Sequence, residues 1–265
     1  MIEVHQFACL SDNYGYLVHD SASGETVCID TPDAGIYLDE AARRGWTITQ
    51  IWNTHWHADH AGGNAAIAAA TGATITAPAI DAPKIAGVTR TVDGTREGGD
   101  TVKLGAFTIR VLAVGGHTLG HVAYVFDDVP LADGTTGTLA FVGDSLFALG
   151  CGRMFEGTPV QFWDSLSRLK VLPAATRVYC AHEYTASNAR FALHADPDNA
   201  ALIAYAGEVE ARRAQGLPTV PTVMAREAAT NPFLRADDPA LQARWGGGDA
   251  VATFAALRAA KDSFR

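Results

Sequence analysis

An α/β core followed by an all-helical final third is the fold class that this sequence predicts, and three observations support it. Strand-like and helix-like segments alternate up to about residue 180, and only helical patterns follow. At 265 residues the chain is long enough for one large domain or two smaller ones. Its hydrophobic fraction of 48% with 18% charged residues is typical of a folded protein with a sizeable core. We therefore expect strands packed with helices and then a helical appendix.

The predicted strands are short runs rich in β-branched and aromatic residues, bounded by Asp, Ser or Gly. In chain order they are Ile2–Phe7, Tyr16–His19, Glu25–Ile29, Ile48–Trp52, several strands between Thr101 and Phe126, Thr138–Val142 and Arg177–Cys180.

The predicted helices have apolar residues at helical spacing and recognisable start or stop residues. They are Ala34–Arg44 before Gly45, an Ala-rich helix reaching about Thr71, a helix begun by the capping box Thr158-Pro159-Val160-Gln161, a helix from Asp196-Pro197 to Gly216, and the segments Val223–Ala229, Pro239–Trp245 and Ala250–Phe264. The change of pattern predicts two domains, residues 1–175 and 176–265.

Charge is distributed unevenly along the chain. The net charge of −9 argues against general nucleic-acid binding, which needs a basic face. Residues 1–172 contain 19 acidic and 10 basic side chains, whereas residues 173–265 contain 10 of each. If the substrate is an anion, the final third is therefore the expected place for its charged end.

The compartment is predicted from what the sequence lacks. The start Met1-Ile2-Glu3-Val4-His5 is not a secretory signal, and no apolar run approaches the ~18 residues of a membrane span. We expect a cytoplasmic protein without membrane contact. The four cysteines, at positions 9, 28, 151 and 180, have no paired spacing, so we expect reduced, buried thiols.

The run Thr54-His55-Trp56-His57-Ala58-Asp59-His60 places four candidate metal ligands within six residues. His55, His57 and Asp59 alternate, so on an extended segment they project to one side. Imidazole and carboxylate groups suit zinc, iron or manganese. A polar loop that happens to contain histidines is the alternative, and the density of ligands disfavours it.

Three more candidate ligands follow predicted strands, namely His117, Asp144 and His182. Strand ends are rigid positions from which loops can converge on one site. The count suggests two ions, the first bound by His55, His57 and His117, the second by Asp59, His60 and His182, and both bridged by Asp144. Two cations acting on one water make hydroxide available at neutral pH, and Asp59 could orient it. Each of the three residues alone would more often be structural.

Two other polar residues have open interpretations. Asp30 follows a predicted strand and either hydrogen-bonds to a ligand histidine or forms a turn. His121 lies four residues after His117, and we interpret it as structural, orienting a neighbour.

With these residues in order, the chain resembles the metallo-β-lactamase superfamily. The matching motifs are the run at 54–60, the turn Gly98-Gly99-Asp100…Leu104-Gly105, the segment Gly116-His117-Thr118-Leu119-Gly120-His121, Gly143-Asp144 and His182. The resemblance covers residues 1 to about 185 and implies an αββα sandwich with a catalytic domain at 1–175. A superfamily alone does not define the substrate.

A finer resemblance, to the glyoxalase II (hydroxyacylglutathione hydrolase) family, extends to the C-terminus. The motifs are Cys151–Gly157, Ala181–Thr185, Pro218–Pro221, Thr230–Arg235 and Leu257–Asp262. The resemblance implies a helical glutathione-binding domain at 176–265, and substrate contacts by Arg153, Phe155, Tyr184, Arg258 and Lys261. Arg153 replaces a usual lysine and Phe155 a usual tyrosine, so we expect weaker binding rather than a different reaction.

The resemblance implies hydrolysis of 2-hydroxyacyl-glutathione thioesters, S-D-lactoylglutathione giving D-lactate and glutathione, as in methylglyoxal detoxification. It also implies two divalent metal ions per chain, with zinc expected and iron or manganese as alternatives, and we expect a monomer. Other possibilities are a lactonase or β-lactamase, a glutathione persulfide dioxygenase using one iron, and a non-catalytic metal-binding interaction module. The C-terminal motifs argue against the first, and the complete ligand set argues against the other two.

Overall fold

The computed structural model describes residues 1–94 and 99–264, which form two compact units. The first unit comprises Met1–Ala113 and Thr118–Gly143, and the second comprises Val114–His117 and Asp144–Arg265. Gly98, the first residue of the motif turn at 98–105, lies outside the described residues. The predicted domain boundary after residue 175 stays a prediction, because the two packing units interleave along the chain.

The first unit contains two sheets. Its first sheet runs in chain order through β1 (Ile2–Cys9), β2 (Asn13–Asp20), β3 (Glu25–Ile29), β4 (Thr47–Trp52), β5 (Thr74–Pro78) and β6 (Arg90–Val92). β1 to β3 pair antiparallel and β3 to β6 pair parallel. The second sheet has the antiparallel strands β7 (Thr101–Leu104), β8 (Phe107–Ala113), β9 (Val122–Pro130) and β10 (Thr136–Gly143). The helices are α1 (Ala34–Arg44), α2 (Ala58–Ala61) and α3 (Asn64–Thr71).

Apolar side chains cover both faces of the first sheet. Between the sheets the ring of Trp52 lies 5.3 Å from that of Tyr124, and Tyr16 lies 5.4 Å from Phe141. On the opposite face, Tyr37 of α1 and Ile67 of α3 are fully buried in one cluster with residues of the sheet. The first sheet therefore lies between two apolar layers, and its strand β4 leads directly into the histidine run at residues 55–60.

The second unit is mainly helical. Its elements are the short hairpin β11 (Leu146–Phe147) and β12 (Gly150–Cys151), the paired strands β13 (Arg177–Cys180) and β14 (Thr222–Val223), and the helices α4 (Pro159–Lys170), α5 (Thr185–Ala195), α6 (Ala200–Ala214), α7 (Met224–Thr230), α8 (Pro239–Leu241) and α9 (Ala250–Ser263). The rings of Phe162, Phe191, Phe233 and Phe254 form its aromatic core.

Most predicted elements are present, and β5, β6 and α5 are among the elements that were not anticipated. β5 is short and ends in Pro78, β6 has three residues, and α5 combines Ser, Asn and His with no clear apolar stripe. The predicted start of α6 at Asp196-Pro197 is wrong. Asn199 caps this helix, because its side chain accepts a hydrogen bond from the Leu202 amide at 3.1 Å.

All four cysteines are buried thiols outside any disulfide, as expected. Burial raises the pKa of each thiol, to about 11 for Cys151 and about 12 for Cys9 and Cys180. Such thiols are protonated at neutral pH and are poor nucleophiles. Across residues 1–94 and 99–264, no helix is both long and apolar enough to cross a membrane.

Gly116 precedes His117 in a conformation that side chains disfavour. Its φ is +150°, and a Cβ placed there would lie 2.2 Å from Cγ of Phe162. Gly116→Ala is therefore expected to lower the free energy of unfolding by on the order of 2–4 kcal/mol, through backbone strain and overpacking. Urea denaturation measures the change.

Gly207→Ala is the matched control, because Gly207 lies in α6 with nothing within 4 Å of the added methyl. This substitution should stabilise the protein by roughly 0.5–1 kcal/mol. Equal effects of the two substitutions would contradict the steric explanation.

Candidate metal centre

The first unit contains four of the seven candidate ligands, at the end of β4. His55 Nε2 lies 3.0 Å from His57 Nδ1, and His60 Nε2 lies 3.5 Å from Asp59 Oδ2. His57 is the N-terminal flanking residue of α2, and Asp59 and His60 belong to that helical turn. His55 and His57 are thus neighbours in space, although the chain bends at residues 54 and 55 instead of staying extended as expected, and the helical turn contains Asp59 and His60.

Asp30 orients two of these histidines, so of its two possible roles the hydrogen bond to a candidate ligand histidine is the one observed. This buried carboxylate accepts hydrogen bonds from the Thr54 amide at 2.7 Å, the Thr54 hydroxyl at 2.8 Å and His60 Nδ1 at 2.8 Å. Because the only hydroxyl hydrogen of Thr54 goes to Asp30, Oγ1 accepts from His55 Nδ1 at 3.1 Å. In both rings the proton is therefore on Nδ1, and Nε2 keeps the lone pair that a metal requires.

Two more residues contact the candidate ligands at positions 55–60. The buried ring of His121 stacks on that of His55 with centroids 4.7 Å apart, which agrees with the structural role expected for it. The side-chain amide of Asn13 donates to Oδ2 of Asp59 at 3.2 Å and to its backbone oxygen at 3.3 Å. Asn13 was missed by sequence reasoning, since nothing in its neighbours marks a contact 46 positions away.

The second unit contains the other three candidate ligands. They follow β8, β10 and β13, as the sequence predicted. The two oxygens of Asp144 face different histidines, Oδ2 being 3.4 Å from His117 Nε2 and Oδ1 being 3.4 Å from His182 Nε2. His117 Nδ1 donates to the backbone oxygen of Arg153 at 2.8 Å, so its Nε2 is also the available nitrogen.

These spacings fit metal coordination. Two ligands of a tetrahedral zinc ion, each about 2.0–2.1 Å from it, are about 3.3 Å apart. The pairs that Asp144 forms with His117 and His182 have this separation, and so does the pair of Asp59 and His60. With nitrogen and oxygen donors only, the set suits borderline or hard divalent cations.

The second unit also contains all five predicted substrate-binding residues. Phe155 is 61% exposed, with its ring edge-on to His117 at 5.3 Å, and Tyr184 is 38% exposed and stacks parallel to His182 at 4.7 Å. The guanidinium of Arg153 is exposed, 3.9 Å from Asp262. These three side chains present accessible surface beside the candidate ligands of this unit.

The two cations of α9 differ in environment. Arg258 is only 4% exposed and donates to the backbone oxygens of Cys151 at 2.9 Å and Gly152 at 3.3 Å. Lys261 is half-buried, with Nζ 3.3 Å from the backbone oxygen of Ser187. Burial, together with the neighbouring guanidinium groups of Arg258, Arg190 and Arg153, lowers the pKa of Lys261 to about 8. Arg190 of α5 was not anticipated as part of this basic cluster.

Comparison with known proteins identifies the family. Residues 13–182 match the family described as the metallo-beta-lactamase superfamily, and residues 183–264 match the one described as hydroxyacylglutathione hydrolase C-terminus. A protein of Erythrobacter litoralis named hydroxyacylglutathione hydrolase is 61% identical, over 100% of both chains. Proteins of the same name from Hyphomonas neptunium and Maricaulis maris are 56% and 57% identical, over at least 98% of each chain.

Solved structures show the same fold. A crystal structure of ETHE1 from Myxococcus xanthus superposes with a TM-score of 0.63 at 24% identity, covering 99% of this chain and 91% of that one. The BLEG-1 B3 metallo-beta-lactamase superposes with a TM-score of 0.62 at 20% identity, covering 87% and 99%. The predicted metallo-β-lactamase fold with a C-terminal helical domain is therefore confirmed, and this chain belongs to the hydroxyacylglutathione hydrolase (glyoxalase II) family of the metallo-β-lactamase superfamily.

Proposed function

We propose that the chain hydrolyses S-D-lactoylglutathione and related 2-hydroxyacyl thioesters of glutathione, releasing the hydroxy acid and glutathione. The activity for which its full-length relatives are named supports this reaction. Within the second unit, the contacts of the loop from Cys151 to Phe155 are the main structural observation in favour of this reaction. This loop contacts the candidate ligand His117 through the Arg153 carbonyl and the Phe155 ring, and it contacts α9 through Arg258.

The loop from Cys151 to Phe155 thus adjoins both a candidate metal ligand and the cations of α9, and hydrolysis of a glutathione thioester needs both kinds of group. Glutathione carries carboxylates at both ends, and Arg153 and Lys261 offer positive charge to them. Tyr184 offers a partly exposed ring and hydroxyl next to His182. Binding energy from the glutathione portion, which does not react, can then hold the thioester carbon in place.

Seven residues are the proposed ligands of two divalent ions, with zinc as the proposed metal and iron or manganese as alternatives. They are His55, His57 and His117 for one ion, Asp59, His60 and His182 for the other, and Asp144 for both. A fold relative at 24% identity, TTHA1623, is described in a di-iron-bound form, so the fold accommodates such a pair. Divalent ions held by these residues would supply a nucleophile at neutral pH and Lewis acidity toward the thioester carbonyl.

The chain's own residues have separate tasks in the proposed reaction. Asp59 accepts a hydrogen bond from the water that attacks the thioester carbonyl, and so directs the attack. Asn13 restrains the Asp59 carboxylate, to which it donates a hydrogen bond at 3.2 Å. Asp30 maintains the required tautomers of His55 and His60. Because a thiolate leaves readily, no general acid is required. We propose that residues 1–175 form the catalytic domain, to which His182 adds a ligand, and that residues 176–265 form the glutathione-binding domain, to which the loop from Cys151 to Phe155 contributes. We also propose that the protein is a cytoplasmic monomer.

The first experiment is hydrolysis of S-D-lactoylglutathione by protein of measured metal content, beside a β-lactam and a simple lactone. Rapid cleavage of the thioester alone is the expected result, with two metal equivalents per chain. Absence of thioester cleavage at full metal content would refute the proposed function. Preferential cleavage of the lactone would favour a different hydrolase of the same superfamily.

Lys261 should make substrate capture depend on pH. Because its pKa is lowered to about 8, the ammonium is protonated at pH 7 and loses its charge as the pH rises through 8. A hydrogen bond to a charged group contributes about 1.5–3 kcal/mol, so kcat/KM should fall roughly 10-fold above this pH.

Lys261→Arg is the matched control, because a guanidinium remains protonated across this range. The decline near pH 8 should disappear in this variant. An identical profile in both proteins would show that another group titrates.

A further inference from the structure

The hairpin β11–β12 connects the candidate ligand Asp144 to the substrate-binding loop. It begins two residues after Asp144 and ends two residues before Arg153. At its tip, Leu149 has a φ of +57°, which is a conformation that a branched residue rarely adopts unless its surroundings impose it. A displacement of this hairpin would therefore move both the carboxylate that faces two histidines and the loop proposed to bind glutathione.

Three side chains from α5, α7 and the residue after α7 hold the backbone of the hairpin. Asn231 Nδ2 donates to the carbonyl oxygens of Phe147 at 3.1 Å and Gly150 at 2.9 Å. Asn188 Nδ2 donates to the Ala148 oxygen at 3.1 Å. Glu227 Oε2 accepts from the Leu149 amide at 2.8 Å. The backbone of each tip residue, 147 to 150, is thus bound by a side chain that lies at least 40 positions later in the sequence.

The three side chains are buried and closely fitted. Glu227 and Asn231 are 0% exposed and Asn188 is 4% exposed. Asn231 also donates to Glu227 Oε2 at 3.0 Å, and the Thr222 hydroxyl donates to Oε1 at 2.7 Å. A Cβ on Gly150 would lie 2.5 Å from Asn188 Nδ2, so the contact depends on this glycine.

The fully buried carboxyl group of Glu227 is not expected to contribute much to the folding stability of the protein. Transfer of a carboxylate out of water is costly, and its hydrogen-bonding partners here are the neutral donors Thr222, Leu149 and Asn231. A group of this kind does, however, hold a chain segment in one geometry, because any shift leaves buried polar atoms without partners. The network therefore suits the control of position better than the gain of stability.

We propose that Asn188, Glu227 and Asn231 are positioning residues, which set the hairpin so that Asp144 and the loop from Cys151 to Phe155 are both correctly placed. The helical region thereby controls metal binding as well as substrate binding. The metal part of this inference rests on the proposed function, in which Asp144 is a shared ligand. Residues that hydrogen-bond directly to metal ligands typically change metal affinity by roughly 10- to 100-fold when replaced, and we expect an effect in this range from residues that place Asp144 through the backbone.

The test is cobalt(II) titration of metal-free Asn231→Ala protein, read by the visible absorption of bound cobalt, with kcat and KM for S-D-lactoylglutathione measured in parallel. We expect cobalt affinity to fall by roughly 10- to 100-fold, the cobalt spectrum to change, and kcat to fall more than KM rises. Wild-type affinity, spectrum and kcat in the folded variant would overturn the proposal.

Asn199→Ala is the matched control. Asn199 caps α6 and donates to the Ala229 oxygen at 3.0 Å, so its loss destabilises the same helical region. It has no hydrogen bond to the hairpin among the described residues, and cobalt affinity and spectrum should remain those of the wild type. If Asn199→Ala weakens cobalt binding as much as Asn231→Ala, general destabilisation explains both and the proposal fails.

A milder variant covers the case in which Asn231→Ala does not fold. Asn188→Ala removes the side-chain amide that donates to the Ala148 oxygen, and we expect roughly 10-fold weaker cobalt binding. Unchanged cobalt binding in this variant would overturn the proposal. Wild-type protein that binds two cobalt ions but does not cleave the thioester would refute the proposed function instead, while the cobalt measurements would still decide the role of the three residues.

Discussion

Asp144→Asn is expected to lower kcat/KM for S-D-lactoylglutathione by at least ~100-fold and to reduce the bound metal below two equivalents. Residues that only orient ligands cost roughly 10- to 100-fold when replaced, and Asp144 is a proposed ligand itself. Its two oxygens lie 3.4 Å from the Nε2 atoms of His117 and His182. In the asparagine variant one of these oxygens becomes an amide nitrogen without a lone pair for a cation, and the negative charge is lost.

The matched control for Asp144→Asn is Asp237→Asn. Asp237 is half-exposed and pairs with Lys170 at 2.7 Å on the surface, where such pairs contribute about 0–1 kcal/mol. Metal analysis and steady-state kinetics should show no difference between this control and the wild type. Full metal content together with wild-type kcat/KM in Asp144→Asn would exclude Asp144 as a shared ligand.

The cluster of four candidate ligands at 55–60 was predictable because neighbours in sequence form it. His55, His57, Asp59 and His60 occupy one strand end and one helical turn, and their residue types alone identify metal chemistry. His117, Asp144 and His182 were predictable from their positions after strands of recognisable composition. In each case the informative signal lies within a few residues of the functional side chain.

The roles of the supporting residues were not predictable, for the opposite reason, although the family motif at 230–235 contains Asn231. Asn13 contacts Asp59 across 46 positions, and Asn231 contacts Gly150 across 81. A single asparagine or glutamate in a helical segment is most often a solvated surface residue, so nothing local distinguishes Glu227 from its exposed counterparts. Likewise, the helical spacing of Arg258 and Lys261 could not show that the first is buried against the Cys151 loop.

The residues that support the candidate ligands are of two kinds, those that contact ligand side chains and those that contact the backbone. In the first unit, Asp30 and Asn13 act on individual ligand side chains, and they determine which nitrogen or oxygen is available. In the second unit, Asn188, Glu227 and Asn231 act on backbone, and they determine where a ligand and a loop are placed. Replacing a residue of the first kind should therefore change protonation and metal affinity without moving the chain.

Asp30→Asn tests whether one carboxylate controls the protonation of the candidate ligand histidines. We expect metal affinity to fall by about 100-fold, which is the upper end of the range for residues that orient ligands. The Thr54 amide is an obligatory donor at 2.7 Å, so the side-chain oxygen of the asparagine must remain in the place of Oδ1. The new NH2 group then replaces Oδ2 and faces the Thr54 hydroxyl and His60 Nδ1. Two donors cannot share one hydrogen bond, so His60 Nδ1 must accept, which transfers the ring proton to Nε2.

The same replacement reaches a second ligand through Thr54. Its hydroxyl must accept from the new NH2 group and donate to His55 Nδ1, which places the proton of that ring on Nε2 as well. Two proposed ligands would thus carry a hydrogen where the metal should bind. Cobalt(II) titration measures the loss, and Asp20→Asn is the control, because Asp20 is equally buried but binds backbone amides of a turn. If both variants bind cobalt equally well, the tautomer argument fails, whereas weak binding by Asp30→Asn alone, with a wild-type circular dichroism spectrum, would establish that one carboxylate controls two histidines.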